Sequence, residues 1–243
     1  NLIAVTGTNG KSSVANFFFQ ILKLNNKKVA CIGTLGVNSN YSNLNTSNTT
    51  LDPIRLNKIL ENHKNKKIDN VILEASSHGL KQHRLEGLKF NIGIFTNLSR
   101  DHLDYHKSYK NYLKSKMILF NKLMNKSSKL IYDNEILQSK ILKSISIKKK
   151  LNSITLGKKN SDLKILNHRF VGNKQEITFT FNNNSYSFKT GLIGRIQIKN
   201  LVMAIIAANK SNLSMKKIIK TINKIKPVNG RLEKVGKIKN NSK

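Results

Sequence analysis

The chain is short of cysteine, of acidic residues and of long apolar runs, and each shortage removes a class of protein. Cys31 is the one cysteine among 243 residues, so no internal disulfide can form and a reducing cytoplasm is the expected setting. Cys31 sits in an apolar stretch and reads as a small core residue. No stretch approaches the roughly 18 to 20 apolar residues of a membrane-spanning helix, so no membrane span is expected. Nothing at the start resembles a signal peptide, because a strand begins almost at once. Asp and Glu number only 12 against 44 Lys and Arg, a net charge of +32. Such an excess suggests nucleic-acid binding. The excess is nearly all lysine, however, and it is spread along the chain beside abundant Asn and Ile, the usage of an AT-rich coding sequence. Only Lys148-Lys149-Lys150 and a few pairs cluster, and no basic stripe interleaves with aromatics as a stacking groove requires. Weak, salt-sensitive polyanion binding is expected; a specific nucleic-acid partner is not.

What is present begins at residue 2. The apolar run Leu2-Ile3-Ala4-Val5 leads into Thr6-Gly7-Thr8-Asn9-Gly10-Lys11-Ser12-Ser13. Each part meets a demand of a triphosphate. Gly7 and Gly10 let the backbone approach phosphate oxygens. Lys11 brings a point charge to the β/γ-phosphates, Ser12 offers a hydroxyl to Mg²⁺, and the helix that follows adds the positive end of its dipole. The spacing is G-x-x-G-K-S, tighter than the Walker pattern, whose first glycine falls on Val5.

The length suits one large domain or two small ones, and an apolar fraction of 38% is enough for a core. Val14, Phe17, Phe18, Ile21 and Leu22 repeat at helical spacing, predicting a helix over 12–24. Strands are predicted at 29–33, 71–74, 90–95 and 129–132, with helices from Asp52-Pro53 onward and over 108–126. The Asn- and Ser-rich stretch 36–50 reads as loop. Alternating strands and helices imply an α/β fold with a mostly parallel sheet flanked by helices, and polar chemistry gathers at the strand ends 6–12, 74–84 and 96–106, where such sheets bind ligands. From 161 to 190 the pattern changes to period two, predicting a small antiparallel β subdomain with a hairpin turn at Asn182-Asn183-Asn184. Helices return over 196–210 and 214–225, and Pro227 ends the last.

The strand end Glu74-Ala75-Ser76-Ser77-His78-Gly79-Leu80 and the stretch Thr96-Asn97-Leu98-Ser99-Arg100-Asp101-His102-Leu103-Asp104-Tyr105-His106, taken with the phosphate loop, resemble the Mur ligases, and within them the MurE type that adds the third amino acid of the peptidoglycan stem. The resemblance extends through Asn48-Thr49-Thr50, Gln82-His83-Arg84, Lys116 and Gly230-Arg231-Leu232-Glu233. It implies an ATP-dependent amide ligase. The D-glutamate γ-carboxylate of UDP-MurNAc-L-Ala-D-Glu takes the γ-phosphoryl group of ATP, and the amine of diaminopimelate or lysine displaces phosphate from the acyl phosphate. It implies ATP contacts from Gly7, Thr8, Asn9, Gly10, Lys11, Ser12, Ser13 and Arg231. Mg²⁺ contacts are implied from Ser12, Glu74, His102 and Lys116, the last as a carbamate formed with CO₂. Substrate contacts are implied from Asn48, Thr49, Thr50, Ser76, Gln82 and Arg84, with Lys11, His102 and Lys116 catalytic. Arg84 suits a carboxylate because its planar fork binds bidentately.

Lys116 also stands out without the resemblance. Tyr109, Tyr112, Leu113, Phe120 and Leu123 form an apolar stripe, and Lys116 falls inside it. Burial there favours the neutral amine; a snorkelling stem with its amine in water is the alternative. Two positions depart from the family pattern: Gln197 stands where many members have Asn, and Ile131-Tyr132-Asp133-Asn134 replaces the usual Asn-x-Asp-Asp. The resemblance further implies that residues 1–228 are the central ATP-binding domain and that 229–243 begin a C-terminal domain. It implies that a uridine-binding domain is missing before residue 1, and that the fragment alone, expected to be a monomer, ligates poorly or not at all. Rival readings are another Mur or folylpolyglutamate-type ligase and a basic ATP-dependent nucleic-acid protein.

Overall fold

A computed structural model describes residues 1–228 and Gly230. In chain order the elements are β1 (Leu2–Thr6), α1 (Lys11–Leu24), β2 (Val29–Gly33), β3 (Gly36–Ser39), β4 (Asn43–Leu44), α2 (Pro53–Asn65), β5 (Asn70–Glu74), α3 (Ser77–Lys81), β6 (Phe90–Phe95), α4 (Leu103–His106), α5 (Tyr109–Lys122), β7 (Met124–Asp133), α6 (Ser139–Lys149), β8 (Asn152–Gly157), β9 (Leu163–Val171), β10 (Lys174–Phe181), β11 (Asn184–Thr190), α7 (Arg195–Lys210) and α8 (Met215–Ile222).

The strands of the described residues form one sheet in the order β11-β10-β9-β8-β7-β6-β1-β5-β2-β3-β4. Its centre, β8 to β2, is parallel. Every residue of β2 and β5 is buried, as a parallel sheet covered on both faces requires. Alternate side chains serve opposite cores. Ile3, Val5, Cys31 and Ile72 pack with Phe17, Phe18 and Leu22 of α1, Leu201 and Ile205 of α7, and Ile218 of α8. Ala4, Ala30, Val71 and Leu73 face Leu56 of α2, Leu80 of α3, Leu119 and Phe120 of α5 and Leu142 of α6.

β1 lies between β5 and β6. The chain builds outward to one side of β1 through β2 and β5, then crosses to the other side at β6, so the order reverses at the carboxyl end of β1. A crevice opens at such a reversal, and the phosphate loop leaves β1 there. Asp52 caps α2 through the Arg55 N–H, with Pro53 in the first turn. Ser108 caps α5 through the Asn111 N–H.

The predicted antiparallel strands do form, but they extend the main sheet. β9 joins β8 in parallel through Leu156↔Leu163 and Gly157↔Lys164, and β10 and β11 add antiparallel. Asn182 and Asn183 turn the hairpin with φ of 49° and 60°, the left-handed pair that a two-residue turn needs. Three stretches escaped the sequence pattern. The 36–50 segment, read as loop, contains β3 and β4; β3 pairs with β2 through a tight turn at Gly36. The helix α6 and the strand β8 lie in a stretch where Lys148-Lys149-Lys150 and scattered serines interrupt the apolar spacing. The α5 helix stops at Lys122, and β7 runs from Met124 to Asp133, longer than its apolar centre suggested.

Candidate active site

The phosphate loop is pinned from the neighbouring strand. Gly7 has φ +146° and Gly10 φ +87°. A Cβ on Gly7 would lie 1.9 Å from Thr96 Oγ1, and one on Gly10 2.6 Å from Asn200 Oδ1, so only glycine fits either place. The Thr8 N–H donates to Asn97 O at 2.9 Å, the Asn9 N–H donates to Asn97 Oδ1 at 3.0 Å, and Thr96 Oγ1 donates to Asn9 O at 2.6 Å. No side chain caps α1 at Gly10, which leaves its positive end for an anion. Lys11 folds over the loop, its Nζ donating to Gly7 O at 2.9 Å and Thr8 O at 2.8 Å.

Glu74, at the end of β5, is 2% exposed. Its carboxylate accepts from Ser12 Oγ at 2.9 Å and from the Thr34 N–H at 2.9 Å. Burial pushes the carboxyl upward, while the Thr34 N–H, the Ser12 hydroxyl and nearby Lys11 pull it back. Gly33 makes room, since a Cβ there would meet Glu74 Oε1 at 2.2 Å.

Thr50 ties the same strand end together. Its Oγ1 donates to Glu74 O at 2.8 Å and accepts from the Ser76 N–H at 2.9 Å. Arg84 donates to Thr50 O at 2.8 Å, Thr49 Oγ1 lies 3.0 Å from Thr34 Oγ1, and Ser76 caps α3 through the Gly79 N–H. Gln82 donates to Tyr105 OH at 3.2 Å, and Asn48 is exposed.

Lys116 reaches the loop from beneath. It is 1% exposed, its Nζ donates to Gly7 O at 2.7 Å and lies 4.4 Å from the Tyr112 ring centre. Burial, with Lys11 nearby, lowers its amine from 10.5 to about 6; the lysine is buried, not snorkelling. His102 occupies the left-handed region at φ +51°. Its ring lies 5.0 Å from that of His78 and 6.0 Å from that of Tyr112.

A cleft of about 170 Å³ joins these parts, lined by Thr8, Asn9, Gly10, Lys11, Ser12, Ser13, Thr34, Thr49 and Glu74. Lys116 touches the same loop from its other side. His102 is not in this lining, and Arg231 lies outside the described residues. On the cleft floor the Ser12 hydroxyl and the Glu74 carboxylate are neighbours. Hard oxygen donors of this kind suit Mg²⁺. Among the described residues no group of three or more His, Cys, Asp and Glu could hold a metal. The fit is therefore to a cation that keeps waters and takes phosphate oxygens, as Mg²⁺ does.

Residues 5–208 match the family model of the Mur ligase middle domain. The chain belongs to the Mur ligase family. It is 40% identical over 239 residues to the UDP-N-acetylmuramoyl-L-alanyl-D-glutamate--2,6-diaminopimelate ligase of Rickettsia montanensis, covering 97% of this chain and 50% of that protein. It is 40% identical over 242 residues to the enzyme of the same name from Rickettsia conorii, with the same coverage. A solved structure of a UDP-N-acetylmuramoyl-L-alanyl-D-glutamate--2,6-diaminopimelate ligase superposes with a TM-score of 0.86 at 26% identity, covering 95% of this chain and 47% of that one. The chain spans about half the length of the curated relatives it matches.

In this Mur ligase domain several residues join the site that motif reading did not assign. Thr34 holds Glu74; its signal was a glycine and a hydroxyl closing a strand, Gly33-Thr34. Thr96 and Asn97 clamp the loop and were visible only as part of a motif. Asn200 abuts Gly10. Asp133, 2% exposed, pairs with Lys199 Nζ at 2.5 Å, so the departing Ile131-Tyr132-Asp133-Asn134 stretch anchors α7 to the end of β7. Nothing in linear spacing announced that pair.

Proposed function

We propose that this chain is the central ATP-binding domain of an amide ligase that joins 2,6-diaminopimelate to UDP-MurNAc-L-Ala-D-Glu, acting in the cytoplasm as a monomer. The observation that carries this reading is the cleft in which Lys11, Ser12 and the buried Glu74 carboxylate meet at one phosphate loop. The names of the relatives support diaminopimelate over lysine. Residues 1–228 make up the domain, and 229–243 lead to the next.

In this reading Gly7, Thr8, Asn9, Gly10, Lys11, Ser12 and Ser13 hold the triphosphate, with Arg231 reaching the nucleotide. Lys11 leaves the Gly7 and Thr8 carbonyls for phosphate oxygens and offsets repulsion between the acceptor carboxylate and the triphosphate. Asn48, Thr49, Thr50, Ser76, Gln82 and Arg84 hold the uridine nucleotide substrate. Arg84 is already anchored on Thr50, so both move as a unit. Ser12 and Glu74, which share the cleft, would hold Mg²⁺ there and His102 and carbamylated Lys116 would approach it from the other side of the loop; bound, the cation would neutralise charge where nucleotide and acceptor meet. The Tyr112 ring supports the pairing of His102 with Lys116, because it lies beside both. At pH 7 an amine lowered to about 6 is mostly neutral. Its lone pair bonds to the carbon of CO₂, one N–H proton passes to solvent, and a carbamate anion replaces the neutral amine.

The test follows phosphate release by the gene product containing this chain, with UDP-MurNAc-L-Ala-D-Glu, Mg-ATP and bicarbonate, adding meso-diaminopimelate or L-lysine in parallel. Turnover with diaminopimelate alone is expected. Turnover with lysine alone corrects the amino acid. Silence with both, from folded protein that binds ATP, sinks the ligase reading. A carbamate carbon resonance from ¹³C-bicarbonate, present in wild type and absent in Lys116→Ala, checks the lysine.

A further inference from the structure

His106 ends α4 and is 1% exposed. Its ring lies between two buried hydroxyls that belong to different helices. Nε2 is 3.0 Å from Ser77 Oγ, in the first turn of α3, and Nδ1 is 3.3 Å from Ser115 Oγ, on α5 beside Lys116. Ser77 and Ser115 are 2% and 5% exposed. The proton positions follow from counting. The Ser115 hydroxyl has one hydrogen and donates it to Asn111 O at 2.9 Å, so towards His106 it can only accept. Nδ1 therefore carries the hydrogen, Nε2 is bare, and the Ser77 hydroxyl donates to it.

We propose that His106 is a positioning residue: held as the Nδ1–H tautomer, it clasps α3 to α5 and fixes the substrate-gripping residues around Ser76 relative to Lys116. The proposal rests on the ligase reading above. Its neighbour Tyr105 reinforces the clasp on the α3 side. The Tyr105 ring lies 4.1 Å from that of His78 and 4.5 Å from Lys81 Nζ, and its hydroxyl accepts from Gln82. The Tyr112 ring, 5.1 Å from that of His106, closes the α5 side. The four-residue α4 is thus a wedge whose last two side chains engage both helices; α5 also touches the phosphate loop, through Lys116 on Gly7 O and the Tyr112 hydroxyl on Thr8 Oγ1, while the Thr96 and Asn97 clamp on that loop does not involve His106. A buried imidazole with both nitrogens satisfied fixes a single geometry, and in-line transfer loses rate steeply when the reacting groups are misplaced by about 1 Å.

The test compares His106→Phe, which keeps the ring's bulk but loses both hydrogen bonds, with His106→Gln, which keeps a donor and an acceptor, in the gene product containing this chain. His106→Phe is expected to lower kcat at least tenfold with the KM for ATP within twofold of wild type, and His106→Gln to recover most of the loss. In histidine-¹⁵N spectra of wild type, His106 is expected to show a protonated Nδ1 and a bare Nε2, and Ser77→Ala to shift the Nε2 resonance. An unchanged kcat in His106→Phe, a parallel loss of ATP affinity, or a protonated Nε2 overturns the proposal. A wild type inactive with every amino acid overturns the ligase reading and takes the positioning role with it. An active wild type with an indifferent His106→Phe overturns this proposal alone.

Discussion

The centre of the sheet and its β9–β11 end follow different rules. From β8 across to β2 the strands are parallel and covered by helices on both faces, and three of them end in polar chemistry: β1 in the loop after Thr6, β5 in Glu74 and β6 in the Thr96-Asn97 pair. From β9 to β11 they are antiparallel and one-sided. Ile177, Phe179 and Phe181 are buried, and the residues between them are only half-buried; Phe170 on β9 is 73% exposed. None of the candidate site residues lies on β9, β10 or β11. Where a parallel strand is followed by a helical crossover, as β1 and β5 are, its carboxyl end opens a loop beside a helix N-terminus, which is where a phosphate is held. The β9–β10 and β10–β11 hairpins end in tight turns away from the phosphate loop. The antiparallel end therefore contributes stability and support for α7, and the parallel centre contributes the chemistry.

Separate substitutions should then move stability and ligand binding independently. The largest effect belongs to Phe179→Ala in β10, where Phe179 is fully buried. It is expected to cost about 3–5 kcal/mol of unfolding free energy, read by urea denaturation, with nucleotide affinity of the folded protein unchanged; a changed affinity would break the division. Next comes Lys11→Ala. Losing a charged contact of about 1.5–3 kcal/mol is expected to weaken Mg-nucleotide binding about 10- to 100-fold by calorimetric titration, while the thermal midpoint of the free protein barely moves.

Lys116 lies where the two kinds of effect meet. Its folded amine, lowered to about 6 from 10.5, is unprotonated over a window in which the unfolded chain still holds the proton. Stability therefore rises with pH between those values, by up to about 1.4 kcal/mol per pH unit from this group. Lys116→Met, which leaves Lys11 on the Gly7 carbonyl, is expected to be more stable than wild type near neutrality. Its advantage should shrink as bicarbonate-free urea titrations move from pH 7 to 9; parallel pH profiles would refute the assignment. The smallest effect is Phe170→Ser on the exposed face of β9, within about 0.5 kcal/mol and silent in binding.

Motif reading reached the parallel centre more fully than the rest. The strands at 29–33, 71–74 and 90–95 were legible because doubly covered strands are short apolar runs between turn residues. Their ends were legible because glycine, lysine and carboxylate sit at fixed spacing. β3, β4 and β8 were not, since strands with only one or two apolar residues among Gly, Asn, Ser and Thr give little periodic signal. The antiparallel strands were legible one by one, but their fusion to β8 through two residue pairs was not, because pairing across a sheet leaves no trace in local pattern.

The sequence by itself determined the phosphate loop, the helix behind it, the odd lysine in an apolar stripe and the family, because those depend on residue types at short, fixed spacing. Tertiary structure alone decided that Thr96 and Asn97 grip that loop, that Thr34 steadies Glu74, that Lys116 and Lys11 share the Gly7 carbonyl, and that His106 joins two serines 38 positions apart. Apart from Lys11 on Gly7, those contacts join elements brought together by sheet order and by the packing of helices on the sheet, and a distance created that way is not encoded in any one segment.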